Sequence, residues 1–511
     1  MKKNIFFIGV SICLLVLLGV GLSYSMWNMS ISQNTNNVIA TTNDCFDIAI
    51  TSQENAITLE NAYPISDSKG KILTPFTFTI KNTCDMAASY SVSLESLKGS
   101  TLSSEFLKVM VNENEPKILN SLNSTDTVNT GSIESRVLDT GTIFKNKTIE
   151  YSIRLWIDYD TTMEDLDNET KVLKSRIIVK GVPSDEEEPV PNLLTERIPY
   201  LAERDTVSFA SDDPDGNIRY IGANPDNYVY FNCSDYSNQS DSTCEKWRII
   251  GLFNNMTKGD GGKENLVKII RNESIGKYSW DTSSSDINEG KGVNDWTQAA
   301  LMKLLNPGYE SEPANSSLYY NSKNGTCYNG GENSTTSCDF TSIGIRNDKT
   351  RNAIESVVWN LGGASDLSRL GIKDFYSLER GTKVYNGRPI VWTGKIGLMY
   401  PSDYGYTTSG GTMKSRTDCL SFRMFFWDNS DYNDCKQNSY IFKDGILIRT
   451  LTSDNEYPER GVVLYDHGNI NRFDSMSYTS AVVVPSLYLK ASFKIKVGDG
   501  SENSPYQLNI E

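Results

Sequence analysis

The sequence holds a single histidine, His467, in 511 residues. That scarcity excludes HExxH zinc sites, zinc fingers and His-rich metal clusters. A Ser-His-Asp or Cys-His arrangement would have to use His467, which stands in the turn-like run Tyr465-Asp466-His467-Gly468-Asn469. CxxC, GxGxxG, Walker-loop and GxSxG strings are also missing, so zinc ribbons, thioredoxin-type redox centres, nucleotide cradles and the hydrolase elbow have no support. A surplus of basic charge is lacking too. With 49 Lys and Arg against 64 Asp and Glu, the net charge is −15. Such a chain has no overall attraction to phosphate backbones, and no nucleic-acid partner is expected.

What is present points outside the cytoplasm. Lys2 and Lys3 precede an uncharged, mostly apolar run from Ile5 to Leu22, followed by Ser23-Tyr24-Ser25. Residues 1–26 therefore read as a signal peptide or an N-terminal membrane anchor. In the anchor reading, residues 5–22 enter the membrane and the rest lies on its extracytoplasmic face or is secreted. Cys13 lies inside the apolar run, leaving Cys45, Cys84, Cys233, Cys244, Cys327, Cys338, Cys419 and Cys435. An even set in an exported chain suggests disulfides, and the spacing favours neighbours: 45 with 84, 233 with 244, 327 with 338, 419 with 435. The last three would close loops of ten to fifteen intervening residues, worth about 2–3 kcal/mol each if unstrained. Free buried thiols are the alternative.

The length predicts a multidomain chain. Residues 183–194 hold Asp185-Glu186-Glu187-Glu188 between Pro183, Pro189 and Pro191, an acidic, extended linker expected to stay outside any sheet. Acidity is shared by both flanks: residues 27–182 carry 20 acids and 14 bases, residues 193–511 carry 40 and 33. It therefore marks solubility and no particular partner. Region 27–182 reads as an all-β sandwich of about seven strands. Phe76, Phe78 and Ile80 alternate with threonines, Tyr90, Val92 and Leu94 with serines, and Tyr151, Ile153 and Leu155 with Ser152, Arg154 and Trp156. Cys45–Ile50 and Lys174–Val179 complete the set. Region 195–511 reads as a loop-rich α+β domain. Helices are expected over Asp295–Leu305, capped by Asn294 or Asp295, and over Lys349–Leu361. Strands are expected at Trp247–Leu252, Leu266–Ile270, Ile396–Tyr400, Gly461–Tyr465 and Ala481–Leu489. Trp247, Trp280, Trp296, Trp359 and Trp392 sit beside apolar residues and read as core.

The strings Asn217-Ile218-Arg219-Tyr220-Ile221-Gly222, Lys246-Trp247-Arg248-Ile249-Ile250-Gly251, Leu398-Met399-Tyr400-Pro401-Ser402-Asp403-Tyr404 and Val484-Pro485-Ser486-Leu487-Tyr488-Leu489-Lys490 resemble, in that order, a family of surface domains from low-GC Gram-positive gut bacteria. The resemblance covers nearly all of residues 195–510. It implies a C-type-lectin-like fold, shared with formylglycine-generating enzymes. Those enzymes use two active-site cysteines a few residues apart, and Cys419 and Cys435 are too widely spaced to match. The first region resembles TasA/camelysin-type β-sandwiches of biofilm fibres. The resemblance rests on Trp27 soon after the apolar run, on Thr74-Pro75-Phe76-Thr77-Phe78-Thr79-Ile80-Lys81-Asn82 and on Glu150-Tyr151-Ser152-Ile153-Arg154-Leu155-Trp156-Ile157-Asp158.

Two candidate sites follow. Tyr400, Asp403, Tyr404, Tyr406, Trp427, Asp428, Asp431 and Tyr432 form an expected exposed-loop set. Aromatic faces stack on sugars or peptide side chains while carboxylates take hydroxyls. For Trp427 the favoured reading is core packing against the 419–435 loop. Asp213, Asp215 and Asn217, with Asp212 beside them, could ligate calcium in a turn, although the spacing fails the EF-hand pattern and a plain polar turn opening the domain is the favoured reading. Carboxylate pairs for glycoside hydrolysis could be drawn from Asp403, Asp428, Asp431 and Glu459, a choice 64 acids guarantee. The expected function is non-catalytic adhesion to a glycan or surface-protein ligand. The alternative is a matrix or fibre subunit that self-assembles by exchanging residues 27–43 as a donor strand. An enzyme ranks third.

Overall fold

The computed structural model describes residues 38–41, 46–50, 57–60, 62–128, 130–282, 290–307, 317–328 and 334–511. The expected leader at 1–26, Cys45 and most of the donor segment lie outside them. Among the described residues no helix is long and apolar enough to cross a membrane. Two compact units, Met1–Pro189 and Val190–Glu511, meet within the acidic proline segment.

The first unit is a β-sandwich of two five-stranded sheets. One sheet runs Val38–Thr41, Leu173–Ser184, Ala87–Ser96, Glu134–Ile143, with Ile57–Leu59 also paired to Leu173–Ser184. The other runs Phe46–Ile50, Phe76–Asn82, Thr148–Ile157, Leu107–Val111, Lys117–Ile118. The alternation carries through. Phe76, Phe78, Ile80, Tyr151, Ile153 and Leu155 from one sheet and Val92, Leu94, Ile177 and Val179 from the other fill a single core. Ten strands replace the expected seven because short edge strands such as Lys117–Ile118 carry almost no pattern.

Two expectations change here. Trp156, read as outward-facing, is fully buried. It lies under the turn Asp67–Gly70, where a Cβ on Gly70 would overlap the indole. The acidic segment also enters a sheet. Pro183 and Ser184 pair with Ala88 and Ala87, while Val38–Thr41 on the opposite side reaches only to Gly181. Among the described residues no ladder on that side extends to Pro183, a position where proline is tolerated.

The second unit is built on a seven-stranded antiparallel sheet. Its order is Phe209–Ala210, Ile218–Tyr220, Glu245–Thr257, Lys263–Arg271, Pro485–Leu489, Ile396–Leu398, with Tyr228–Phe231 also on Glu245–Thr257. A three-stranded sheet, Ile448–Ser453, Gly461–Leu464 and Ile470–Phe473, and several short helices pack on the same core. The first and last segments of the unit meet, with Leu194 N–H donating to Phe493 O at 2.9 Å and Ile495 N–H to Asn192 O at 2.7 Å.

Both expected helices are shorter than read. Asp295 caps a 3₁₀ turn, Trp296–Gln298, before the helix Ala300–Leu305. The helix Asp348–Ala353 stops early, and Val357–Asn360 is instead a strand paired with Val391–Gly394. Val357-Val358-Trp359 favours a pleated surface over a fourth helical turn. Of the five tryptophans, four are fully buried and Trp392 is partly so.

Disulfides join Cys233 to Cys244, Cys327 to Cys338 and Cys419 to Cys435. Cys84 is also disulfide-bonded. These bonds belong to a protein of an oxidising, extracellular or secreted setting.

Candidate functional site

The strand Ile218–Tyr220 carries Arg219 into the second unit's core. A bulge in the neighbouring strand sets Gly251 opposite Arg219. A Cβ on Gly251 would collide with the Ile218 carbonyl, so only glycine permits this close crossing. Two residues before that strand, Gly216 takes a left-handed φ of 62° and closes the turn Asp213–Asn217. Asp213 Oδ1 accepts from Asn217 N at 2.9 Å, and its Oδ2 from Asn217 Nδ2 at 2.9 Å and Arg219 Nε at 2.8 Å. Asp212 pairs with Arg416 at 2.7 Å, and Asp215 accepts from Tyr376 Oη at 2.5 Å. Among the described residues no group of three or more acids, cysteines or histidines is placed to hold a metal. In the turn expected to offer Asp213, Asp215 and Asn217 to calcium, the side-chain oxygens accept from N–H groups, from Arg219 and from the Tyr376 hydroxyl.

Arg219 reaches on to Asp403 Oδ1 at 3.1 Å, and Lys268 Nζ meets Asp403 Oδ2 at 2.6 Å. All four side chains are buried, and two cations balance two carboxylates. Burial alone would raise the Asp403 carboxyl; Lys268 and Arg219 override it and hold it down at about 2. Burial dominates at Lys268 and lowers it to about 8, against the pull of Asp403. The aromatic rings of Tyr400 and Trp359 stand 4.6 Å and 5.1 Å from its ammonium. Beside this chain, buried Glu379 accepts from Ser402 N at 2.9 Å, from Ser402 Oγ, and from Arg380 Nη1 at 3.3 Å. Burial pushes Glu379 up to about 7 despite those donors.

A cleft of about 180 Å³ opens over this network. Phe253, Trp359, Tyr376, Tyr400 and Tyr488 line it with aromatic surface, and Asp215, Asn255, Asn360 and Arg380 add polar groups. Arg380 lies flat on Tyr376, its Cζ 3.4 Å from the ring centroid. Asn255 is exposed and Asn360 half-buried. Their side-chain amides make no hydrogen bond to another described residue: Asn255 engages Asn265 through its backbone N–H, and Asn360 engages Tyr400 Oη through its backbone. Two open amides, a carboxylate and aromatic walls converge on a space about one sugar ring in size, below the ~300–1,000 Å³ of larger ligand pockets.

The set expected on exposed loops is arranged differently. Tyr400 N–H donates to Asp403 Oδ2 at 2.9 Å at the start of the helix Pro401–Tyr406, with Pro401 in its first turn. Tyr400, Asp403, Tyr404 and Tyr406 are all buried instead of standing on exposed loops. Only Tyr400 lines the cleft. Tyr404 donates to Gly468 O at 2.7 Å and packs on fully buried Trp427. Asp428 and Asp431 are exposed, and Tyr432 stacks on Phe422 with ring centroids 3.5 Å apart. His467 is exposed at a hairpin tip.

Sequence reading missed Arg219, Lys268, Tyr376, Glu379, Arg380, Asn255 and Asn360. One signal was available: Lys268 interrupts the apolar run Leu266-Val267-Lys268-Ile269-Ile270, where a charge needs a buried partner.

No family model matches the chain, and no curated protein matches it. Among solved structures it is similar to the "Crystal Structure of the Periplasmic Chaperone SfaE", at 8% identity over 42% of this chain and 93% of that one. The TM-score of 0.10 is too low to carry any argument.

Proposed function

We propose that this is an exported surface protein whose second unit binds, without catalysis, a neutral sugar residue of a glycan. The observation that carries this reading is the cleft's lining: unengaged Asn255 and Asn360 amides and the Asp215 carboxylate facing aromatic walls. Amides both donate to and accept from hydroxyls, while Tyr376 and Tyr400 present apolar surface to sugar C–H faces. Residues beneath the cleft are fixed by ion pairs, which lowers the ordering cost of binding. The resemblance to C-type-lectin-like surface domains agrees with this reading. A glycan array probed with the whole chain is expected to return hits among neutral hexose-containing glycans. An array with no signal above background would remove the proposal.

A second reading is favoured by one observation. Val38–Thr41 lies parallel to Leu173–Ser184, whereas that strand's other two pairings are antiparallel. A short strand added at an edge is the form an exchangeable donor takes, so the first unit could link copies through residues 27–43. Sedimentation of the whole chain would then show concentration-dependent oligomers that disappear when residues 27–43 are deleted. A monomer at every concentration removes this reading.

A further inference from the structure

A second cavity in the same unit is independent of the aromatic cleft. The strand Glu245–Thr257 carries Arg248, which is 5% exposed. Its Nε donates to Asn227 Oδ1 at 2.5 Å and its Nη2 to Pro225 O at 3.2 Å. The ring centroids of Tyr228 and Tyr440 lie 3.7 Å and 4.8 Å from its Cζ. Among the described residues no carboxylate forms an ion pair with Arg248, and its Nη1 has no hydrogen-bond partner.

Other buried arginines are compensated. Arg176 has Glu95 at 2.8 Å, Arg219 has Asp213 and Asp403, and Arg271 has Glu245 at 2.9 Å. Arg449 closes instead on the carbonyls of Tyr278 and Tyr478. A buried guanidinium without a direct ion-pair partner is unfavourable; burial lowers the Arg248 pKa, and the pull of Tyr228, Tyr440, Glu502 and Asp226 does not offset it.

Arg248 lines a cavity of about 50 Å³, room for a few water-sized groups. Ile441, Ile448, Val482 and Val484 form an apolar wall, and Arg271, Glu273 and Lys443 stand at the polar side. Glu245 offsets Arg271, and Glu273 offsets Lys443 at 3.3 Å, so of the lining cations Arg248 is the one with no carboxylate in ion-pair contact among the described residues; Asp226 and Glu502 act on it from farther off. The Ser274 hydroxyl, also in the lining, has no partner among the described residues.

We propose that this cavity binds one short aliphatic carboxylate, of acetate or propionate size. The carboxylate lies on Arg248 Nη1 with Ser274 as second donor, and the alkyl group lies on the isoleucine–valine wall. The one guanidinium free of ion-pair contact matches a monoanion, and the apolar wall favours an alkyl carboxylate over a hydrated inorganic ion.

The test is thermal unfolding of the whole, disulfide-intact chain in sodium acetate, propionate or chloride at equal ionic strength. Acetate and propionate are expected to raise the midpoint in a saturable way, chloride much less. Arg248→Gln removes the effect. Because that variant also disturbs a buried position, Lys443→Glu at the half-exposed rim is the companion, with carboxylate affinity expected to fall about tenfold. A chloride response equal to that of acetate, or a Lys443→Glu chain that binds as tightly as the parent, would overturn the proposal.

Discussion

Asp403 and Glu379 are both fully buried, and they respond to pH in opposite directions. The Asp403 carboxyl is held at about 2 against an ordinary 3.8. Its contribution to stability is present above pH 3.8 and is lost as pH falls through 2. Glu379 is raised from 4.5 to about 7, so its contribution is full below pH 4.5 and lost as pH rises through 7. Asp281, raised by burial from 3.8 to about 6, acts in the same sense as Glu379 over its own window. Glu379→Gln is therefore expected to flatten the decline in unfolding free energy between pH 4.5 and 7. The difference is about 3 kcal/mol at most, read from denaturant midpoints at each pH. An unchanged slope would show that Glu379 does not titrate there. At this scale the sequence was only partly legible. Composition and motif scarcity excluded His-rich metal sites and left His467 as the single candidate for histidine chemistry, but a charged residue on a buried strand is recognisable only once its partner is known. Asp403 lies 135 residues from Lys268, a distance no local pattern spans.

Elements were read best where one face is buried and the pattern is long. Burial alternates through all of Phe76–Asn82, over residues 88–92 of Ala87–Ser96 and up to Leu155 of Thr148–Ile157, with consecutive buried residues at the ends of the last two. The errors fall where a short segment lacks a full period. Val357–Asn360 has four residues, too few to separate a strand from a helical turn, and its pairing with Val391–Gly394 decides the outcome. Pro401–Tyr406 was taken for a loop although Pro401 and Asp403 are helix-start residues, because Tyr and Gly dominate its composition. The neighbouring-cysteine rule held for three pairs. The 419–435 bond ties the helix Arg416–Ser421 to the helix Asn433–Gln437. Its removal by Cys419→Ser with Cys435→Ser is expected to lower unfolding free energy by about 3 kcal/mol, measured by urea titration. A change below about 1 kcal/mol would mean the segment is held by Trp427 and Met424 packing alone.

On the scale of the whole molecule, the β-rich multidomain architecture and the oxidising setting followed from alternation and cysteine usage. The site did not, because its groups come from six separate stretches of chain around Asp215, Asn255, Asn360, Tyr376, Tyr400 and Tyr488. Only the fold of the second unit brings them together. The account's central claim is that this convergence binds a sugar ring, and calorimetric titration of an array-selected neutral oligosaccharide tests it most directly. Asn360→Ala and Asn255→Gly, the latter keeping the left-handed φ of 51°, are each expected to weaken binding about tenfold with the unfolding midpoint unchanged. Affinity equal to the parent in both variants would contradict it.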